Sequence, residues 1–299
     1  MIQTFRSKNL VWYDVTRPTQ EDIETLKKDV KLHPLVIDEM RPRLHRSKLD
    51  LYAQYLFLVL HIPFLKKRNE GVEVVELDCV IGKEMLISNH YRDIPVITRL
   101  QEQFRDQSAS SEFLEQPVAN LLYHILSTVL QESLAALDTV EERIGHIEKT
   151  MFTGKEREMV REISQLRRDV IDFRRATSPA RPVFRALDDA GPALLGAETL
   201  HYFRNLTGRS EQIATLLKAQ KETIEALEET NQALLTTATN DIFRILTVFA
   251  SIALPLTLIA SIFGMNVDFP AFVNIWTVLG AITVTAISMI FFFLKKKWL

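Results

Sequence analysis

The sequence predicts an α+β soluble domain with α/β/α layering, followed by a helical hairpin, a long stalk helix and two C-terminal transmembrane helices. Three observations carry that reading. Residues 245–263 and 271–294 hold no charged side chain over 19 and 24 positions. As helices these stretches reach roughly 28 and 36 Å at about 1.5 Å per residue, against a hydrocarbon core of about 30 Å. Strand and helix signals alternate up to about residue 115, after which strand signals cease. From residue 210 an apolar stripe of helical period runs without a strong breaker into the first uncharged stretch. The expected segments are 1–115 for the α+β domain, 116–190 for the hairpin and 191–263 for the stalk and first span. Residues 264–274 form the loop between spans, 275–294 the second span and 295–299 a basic tail.

Charge and cysteine content narrow the chemistry. The 299 residues carry 36 basic and 38 acidic side chains, a net charge of -2, so the balance marks no nucleic-acid partner. A single cysteine, Cys79, excludes a disulfide framework and any zinc site built on several thiolates. His33, His45 and His61 have no second ligand cluster at metal spacing and read as packing or surface residues. No nucleophile–base pairing and no Gly-x-x-x-x-Gly-Lys-[Ser/Thr] loop occurs, so neither an enzyme nor a cofactor is expected.

Residues 10–15 read as a strand, 19–32 as a helix capped by Thr19, and 55–62 as a buried strand. Residues 72–81 alternate well enough to pair with 85–88 across a turn containing Gly82. Residues 118–149 and 155–177 repeat apolar positions every 3.6 residues on either side of Thr153-Gly154, which makes the hairpin. Its Arg161, Arg167, Arg168, Arg174 and Arg175 interleave with Glu156, Glu158, Glu162, Asp169 and Asp172, the pattern of a solvated face. Gly191-Pro192 reads as the break before the stalk. Residues 210–263 then give 54 residues of helix, about 80 Å, with Ile213, Leu216, Leu217, Ile224, Leu227, Leu234 and Leu235 on one side. A lone helix cannot bury that stripe, so neighbouring copies are expected to cover it.

Cations set the orientation. Lys295, Lys296 and Lys297 follow the second span, Arg244 precedes the first, and residues 264–274 contain no Lys or Arg. Both termini are therefore expected on the cytoplasmic side of the inner membrane. The start lacks an apolar signal core, which leaves the upstream domain inside as well.

At about 100° per residue, Asn240, Thr247, Ser251, Thr257 and Ser261 fall within an arc of roughly 120° on the first span. Ile245, Val248, Phe249, Ile252, Leu256, Ile259 and Phe263 oppose them. Such an arc serves either as interhelical glue or as the wall of a wet path. Two spans cannot enclose a path alone, so a pore requires several copies around an axis. Phe243 and Leu254 interrupt the arc and Leu246 borders it; repeated as rings, they form a hydrophobic gate that closes by dewetting. The span ends on Phe263-Gly264-Met265-Asn266, where an accessible glycine carbonyl and an amide oxygen offer neutral, hard ligands. Magnesium sheds water reluctantly, and neutral oxygens hold its hydrated ion weakly enough for release. Copper or zinc would call for His or Cys, and neither span has either.

Gly264-Met265-Asn266 at the end of the first of two C-terminal spans, Pro255-Leu256-Thr257 within it, and the terminal Lys295-Lys296-Lys297-Trp298-Leu299 together resemble the CorA family of divalent cation transporters. The motif match covers about residues 240–299, and the upstream chain agrees in layout. The resemblance implies a homopentamer with a cytoplasmic funnel, the stalk helix lining the pore and the second span as an outer ring. It places the selectivity filter on Gly264, Met265 and Asn266, and pore positions on Asn240, Leu246, Leu254 and Thr257. Phe243 stands where the family pattern suggests Met. Asp268 is the one acidic side chain of the loop, a local attraction for cations.

Two departures stand out. Tyr202-Phe203-Arg204 is followed by Asn205, where members gated by magnesium are expected to carry Asp, so a regulatory metal site there is in doubt. Phe269-Pro270 leads into Ala271, where many relatives carry Glu after Met-Pro. The implied function is influx of hydrated divalent cations, magnesium first and cobalt or nickel next, driven by the membrane potential. The alternatives are zinc transport of a ZntB-like branch, with proton coupling, and a membrane-anchored coiled-coil scaffold without conductance.

Overall fold

The computed structural model describes residues 1–7, 9–41, 46–66, 71–105, 116–265, 274–296 and 298. Two compact units make it up, Met1–Glu228 and Glu229–Leu299.

In the first unit, β1 (Ile2–Arg6), β2 (Val11–Thr16), β3 (Lys48–Leu51), β4 (Tyr55–Leu65), β5 (Val72–Gly82) and β6 (Met85–His90) form one sheet of order β1-β2-β6-β5-β4-β3. The β2–β6 contact is parallel and the other neighbours are antiparallel. The long β4–β5 pair runs from Tyr55 opposite Gly82 to Leu65 opposite Val72. β4 is apolar almost throughout because both faces of the sheet are covered, while β5 sets Glu73, Glu76 and Asp78 among its apolar residues. On one face Tyr55, Phe57 and Val59 share a core with Leu26 of α1 (Gln20–Asp29) and Val36 of α2 (Pro34–Glu39). On the other, Leu60 and Ile62 meet Val129 and Leu130 of α4 (Val118–Met151) and Phe184 of α6 (Ala180–Leu195). The layering is α/β/α. Thr19 caps α1 as expected: its hydroxyl accepts from the Asp22 amide at 3.2 Å, and the Asp22 carboxylate accepts from the Thr19 amide at 2.9 Å.

The hairpin pairs α4 with α5 (Glu156–Thr177) through a turn at Gly154, whose φ is +81°. Across it Arg143 donates to Asp169 at 2.7 Å and Gln165 donates to the other Asp169 oxygen at 2.8 Å, so a buried carboxylate is held on both sides. The arginine face carries exposed ion pairs, Arg167 with Glu228 at 3.0 Å and Arg175 with Asp172 at 3.4 Å. Five elements had no counterpart in the sequence reading: β1, α2, β3, α3 (Pro95–Arg105) and α6.

Two expectations are corrected. The helix does not break at Gly191-Pro192; α6 continues to Leu195. A Cβ on Gly191 would overlap the Phe203 ring, so this glycine permits close helix packing, and Pro192 gives up one hydrogen bond near the helix end. The chain turns instead at Gly196, whose φ of +111° suits glycine. The long helix α7 (Leu200–Phe263, 64 residues) therefore begins at Leu200, not at 191. Its lower stripe is also not left for other copies. Phe203, Leu206, Ile213, Leu217, Ile224 and Leu227 are buried within the chain. Arg209 donates to the Ser127 carbonyl at 3.3 Å and Gln220 to the Leu137 carbonyl at 2.9 Å, binding α7 to α4.

A buried polar network closes the parallel β2–β6 seam, where Asp14 faces Ser88 in register. The Trp12 indole donates to the Ser88 hydroxyl at 2.9 Å, and that hydroxyl donates to Asp14. Gln101 of α3 donates to the second Asp14 oxygen at 2.6 Å, and His90 Nε2 lies 3.3 Å from the first. Burial disfavours a charged His90, but the Asp14 hydrogen bond and charge outweigh it and raise the imidazole pKa.

The second unit holds the upper part of α7 and α8 (Ile275–Lys295), which Asn274 caps by accepting from the Trp276 and Thr277 amides at 3.0 and 3.1 Å. The most apolar window of each helix is only 6% buried, whereas a soluble core helix would be mostly covered. Such helices require lipid around them.

Candidate ion pathway

The upper part of α7 has two unlike faces. Val248 is 3% exposed, and Ile252, Pro255, Leu256 and Ile259 are half-buried beside it. The polar arc is centred roughly 140° away around the helix. On it Asn240, Thr247, Thr257 and Ser261 are exposed and Ser251 is half-buried. The structure thus gathers the five polar positions on a face that the chain itself leaves open. Phe243, Leu246 and Leu254 lie on or beside the same face, 60%, 62% and 70% exposed.

The hydroxyls on this face are already partly committed. Thr247 donates to the Phe243 carbonyl and Thr257 to the Ala253 carbonyl, each at 2.8 Å. Their protons are used within the helix, and their remaining lone pairs are acceptors. Pro255 adds an acceptor that the sequence reading missed. It has no N–H to give to the Ser251 carbonyl one turn earlier, so that oxygen loses its helical donor.

At the end of the span the Gly264 amide donates to the Ala260 carbonyl at 2.9 Å and the Met265 amide to the Ile262 carbonyl at 3.3 Å. The helix ends at Phe263, so the negative end of its dipole points this way. Gly264 and Met265 are both exposed here. Asn266 and Asp268 lie outside the described residues, as do Phe269, Pro270 and Ala271. At the opposite end Asp241 and Arg244 form a loose pair at 3.7 Å that the wheel did not single out.

The first unit offers less. Among the described residues no group of three or more His, Cys, Asp or Glu side chains is arranged to hold a metal ion. His33 Nδ1 accepts from the Leu35 amide at 3.2 Å, His61 sits between Ser47 at 2.9 Å and Glu76 at 3.4 Å, and His45 lies outside the described residues. Asn205 accepts from the Tyr123 hydroxyl at 3.2 Å, beside the packed Tyr123 and Tyr202 rings. Cys79 is fully buried, and burial pushes its thiol well above the ordinary range.

The same architecture recurs among known proteins. The Cobalt/magnesium transport protein CorA of Thermotoga maritima is 26% identical over 298 residues, 98% of this chain and 84% of that protein. The protein of the same name from Methanocaldococcus jannaschii is 23% identical over 306 residues, 99% of this chain and 93% of its own length. The complete structure of the CorA magnesium transporter from Methanocaldococcus jannaschii superposes with a TM-score of 0.83 at 20% identity, covering 97% of this chain and 92% of that one, so the fold is shared from sheet to second span. A family model described as CorA-like Mg2+ transporter protein matches residues 7–297. The chain belongs to the CorA-like Mg2+ transporter family.

Proposed function

We propose that this divalent cation transporter passes hydrated magnesium inward, down the membrane potential, through a path walled by the first spans of several identical copies, five by resemblance. The observation that supports this most is the open face of α7, where acceptor oxygens without formal charge recur from Asn240 to Ser261. Water bound to a divalent ion donates hydrogen bonds outward, so neutral acceptors match a hydrated cation without trapping it. Gly264, Met265 and Asn266 serve as the outer selectivity ring, with Asp268 raising the local cation concentration. Phe243, Leu246 and Leu254 form the hydrophobic constriction. Both termini lie on the cytoplasmic side, because the cations flank the spans only there. Moving two charges through 100 mV releases about 4.6 kcal/mol, so the membrane potential is a sufficient driving force.

Magnesium is placed before zinc because neither span carries His or Cys. The scaffold alternative loses its main support, since the lower stripe of α7 is covered by the chain's own helices. The test is ion uptake into liposomes at a fixed inside-negative potential, with magnesium, cobalt, nickel and zinc in turn. Magnesium uptake that Asn266→Ala abolishes is the expected result. Zinc uptake that excess magnesium does not inhibit would overturn the ion assignment, and the absence of any uptake would overturn the conducting role.

A further inference from the structure

β2 and β6 run parallel and end side by side, Thr16 opposite His90. From those ends the chain leaves toward opposite faces of the sheet. Beyond β2 it enters α1, whose Leu26 shares a core with Tyr13 and Val15. Beyond β6 it enters α3, whose Gln101 and Phe104 meet Asp14 and Trp12, the residues of β2 that alternate to the other side. Where neighbouring parallel strands send their helices to opposite faces, a crevice opens outside their carboxyl ends. Here it is a cavity of about 860 Å³, lined by Thr16, Arg17, His90, Pro95, Arg99 and Glu102 among others. Small-molecule sites fall between about 300 and 1,000 Å³.

The floor of the cavity does not turn an anion away. His90 Nδ1 lies 2.6 Å from the Arg92 carbonyl and Nε2 3.3 Å from Asp14. Both nitrogens face acceptors, the arrangement of an imidazolium, whose charge offsets that of Asp14. Above the floor stands Arg17, the one non-glycine residue among those described with a positive φ, +48°. Its amide donates to the His90 carbonyl at 2.9 Å and its Nε to the Tyr91 carbonyl at 3.3 Å, which draws the side chain across the strand ends. The terminal guanidinium nitrogens keep only a 4.0 Å contact to Asp93. A costly backbone conformation that presents an uncommitted fork to a cavity is the arrangement that receives an oxyanion. Arg99 adds a second cation, 60% exposed beside its pair with Glu132. The positive end of α3 adds to both, since its first residue, Pro95, lines the same cavity. Asp93 and Glu102 are exposed carboxylates on the lining, which repel a ligand that is anionic throughout and accept hydrogen bonds from hydroxyls.

We propose that this crevice binds a small organic phosphate bearing free hydroxyls, the chemistry shared by mononucleotides and sugar phosphates. Its phosphate sits on Arg17 and Arg99, and its hydroxyls on Asp93 and Glu102. A bare phosphate would leave most of the volume empty and both carboxylates without a donor. The site lies wholly in the first unit and is independent of the ion pathway.

Calorimetric titration of the full-length protein in detergent tests this, with AMP, ribose 5-phosphate, ribose and inorganic phosphate in separate arms. Saturable binding of AMP or ribose 5-phosphate is expected, with ribose and inorganic phosphate each weaker by about tenfold or more. The tighter of the first two tells a nucleotide site from a sugar-phosphate site. Glycine adopts a φ of +48° without strain, so Arg17→Gly removes the fork while relieving the backbone. Its melting temperature should equal or exceed the parent's while affinity falls about tenfold or more, which separates lost binding from lost folding. Glu102→Gln should weaken the organic phosphates and leave inorganic phosphate as it was. Absence of saturable binding by both AMP and ribose 5-phosphate, inorganic phosphate binding as tightly as either, or undiminished affinity in Arg17→Gly would each overturn the proposal.

Discussion

Thr247 and Val248 are adjacent in the chain and opposite in surroundings: Thr247 is exposed on the open face of α7, while Val248 is 3% exposed on the covered one. The helical period alone separates an acceptor-bearing face from an apolar one. If ions travel along the first of these, removing an acceptor without changing shape should slow them. Thr257→Val is expected to lower magnesium flux about fivefold, the equivalent of one hydrogen bond of about 1 kcal/mol. Thr283→Val on the second span, whose hydroxyl makes the same kind of bond to the Leu279 carbonyl, should leave flux unchanged. Liposome uptake of both variants checks this pair.

Leu254 is 70% exposed in the single chain and has no core to support. Leu254→Ala should therefore leave thermal stability within about 0.5 kcal/mol of the parent. In the assembled protein it should raise leak flux under conditions that keep the parent closed, because a smaller apolar ring dewets less readily. A resting flux equal to the parent's would remove Leu254 from the gate.

Packing at Gly191 makes a prediction about stability alone. A side chain there meets the Phe203 ring, so Gly191→Ala should cost about 1–3 kcal/mol by overpacking. Thermal unfolding of the purified protein would register the loss. Gly145, whose added Cβ meets nothing within 4 Å, is the matched control for Gly191→Ala.

Two buried groups give the first unit a pH dependence of one sign. Burial first, and the Glu76 charge second, push the Asp78 carboxyl up to about 8, against the opposing hydrogen bond from Asn89. The folded state thus holds a proton that the unfolded chain releases near pH 4, and stability falls as pH rises from about 4 to about 8. His90, with its pKa raised through Asp14, acts in the same direction: its contribution is full below the unfolded value near 6.5 and is lost as pH climbs through the folded value. Melting temperature should fall between pH 6 and pH 9. Asp78→Asn, neutral at every pH, should flatten much of that slope, and a parallel slope would contradict the assignment.

Much of this architecture was legible where one physical signal dominates. Uncharged runs about as long as a hydrocarbon core is thick marked the spans, and the Thr19 cap and the β5–β6 pairing across Gly82 were visible because local chemistry and tertiary structure agree there. What escaped depends on partners distant in sequence. β3 is four residues long and β1 five, and each stands only because it pairs with a neighbour. Gly191-Pro192 has the local chemistry of a break, but the Phe203 ring turns that glycine into a packing position and leaves the break to Gly196. The α7 stripe showed that something must cover it, but not that α4 does. On the candidate path the wheel gathered the polar face, whereas the unpaired Ser251 carbonyl follows only from Pro255 lying inside a continuous helix.

The most direct test of the central claim uses the protein's single cysteine. Cys79 is buried and its thiol is held protonated, so charged thiol reagents should ignore the parent. Cysteines placed one at a time at Thr257, Ser261, Leu256 and Ile259 then report which face of the first span meets the conducting water. A water-soluble cationic thiosulfonate should block magnesium uptake through Thr257→Cys and Ser261→Cys and leave Leu256→Cys and Ile259→Cys conducting. Block confined to Leu256→Cys and Ile259→Cys, or no block at any of the four, would contradict a path walled by the polar arc.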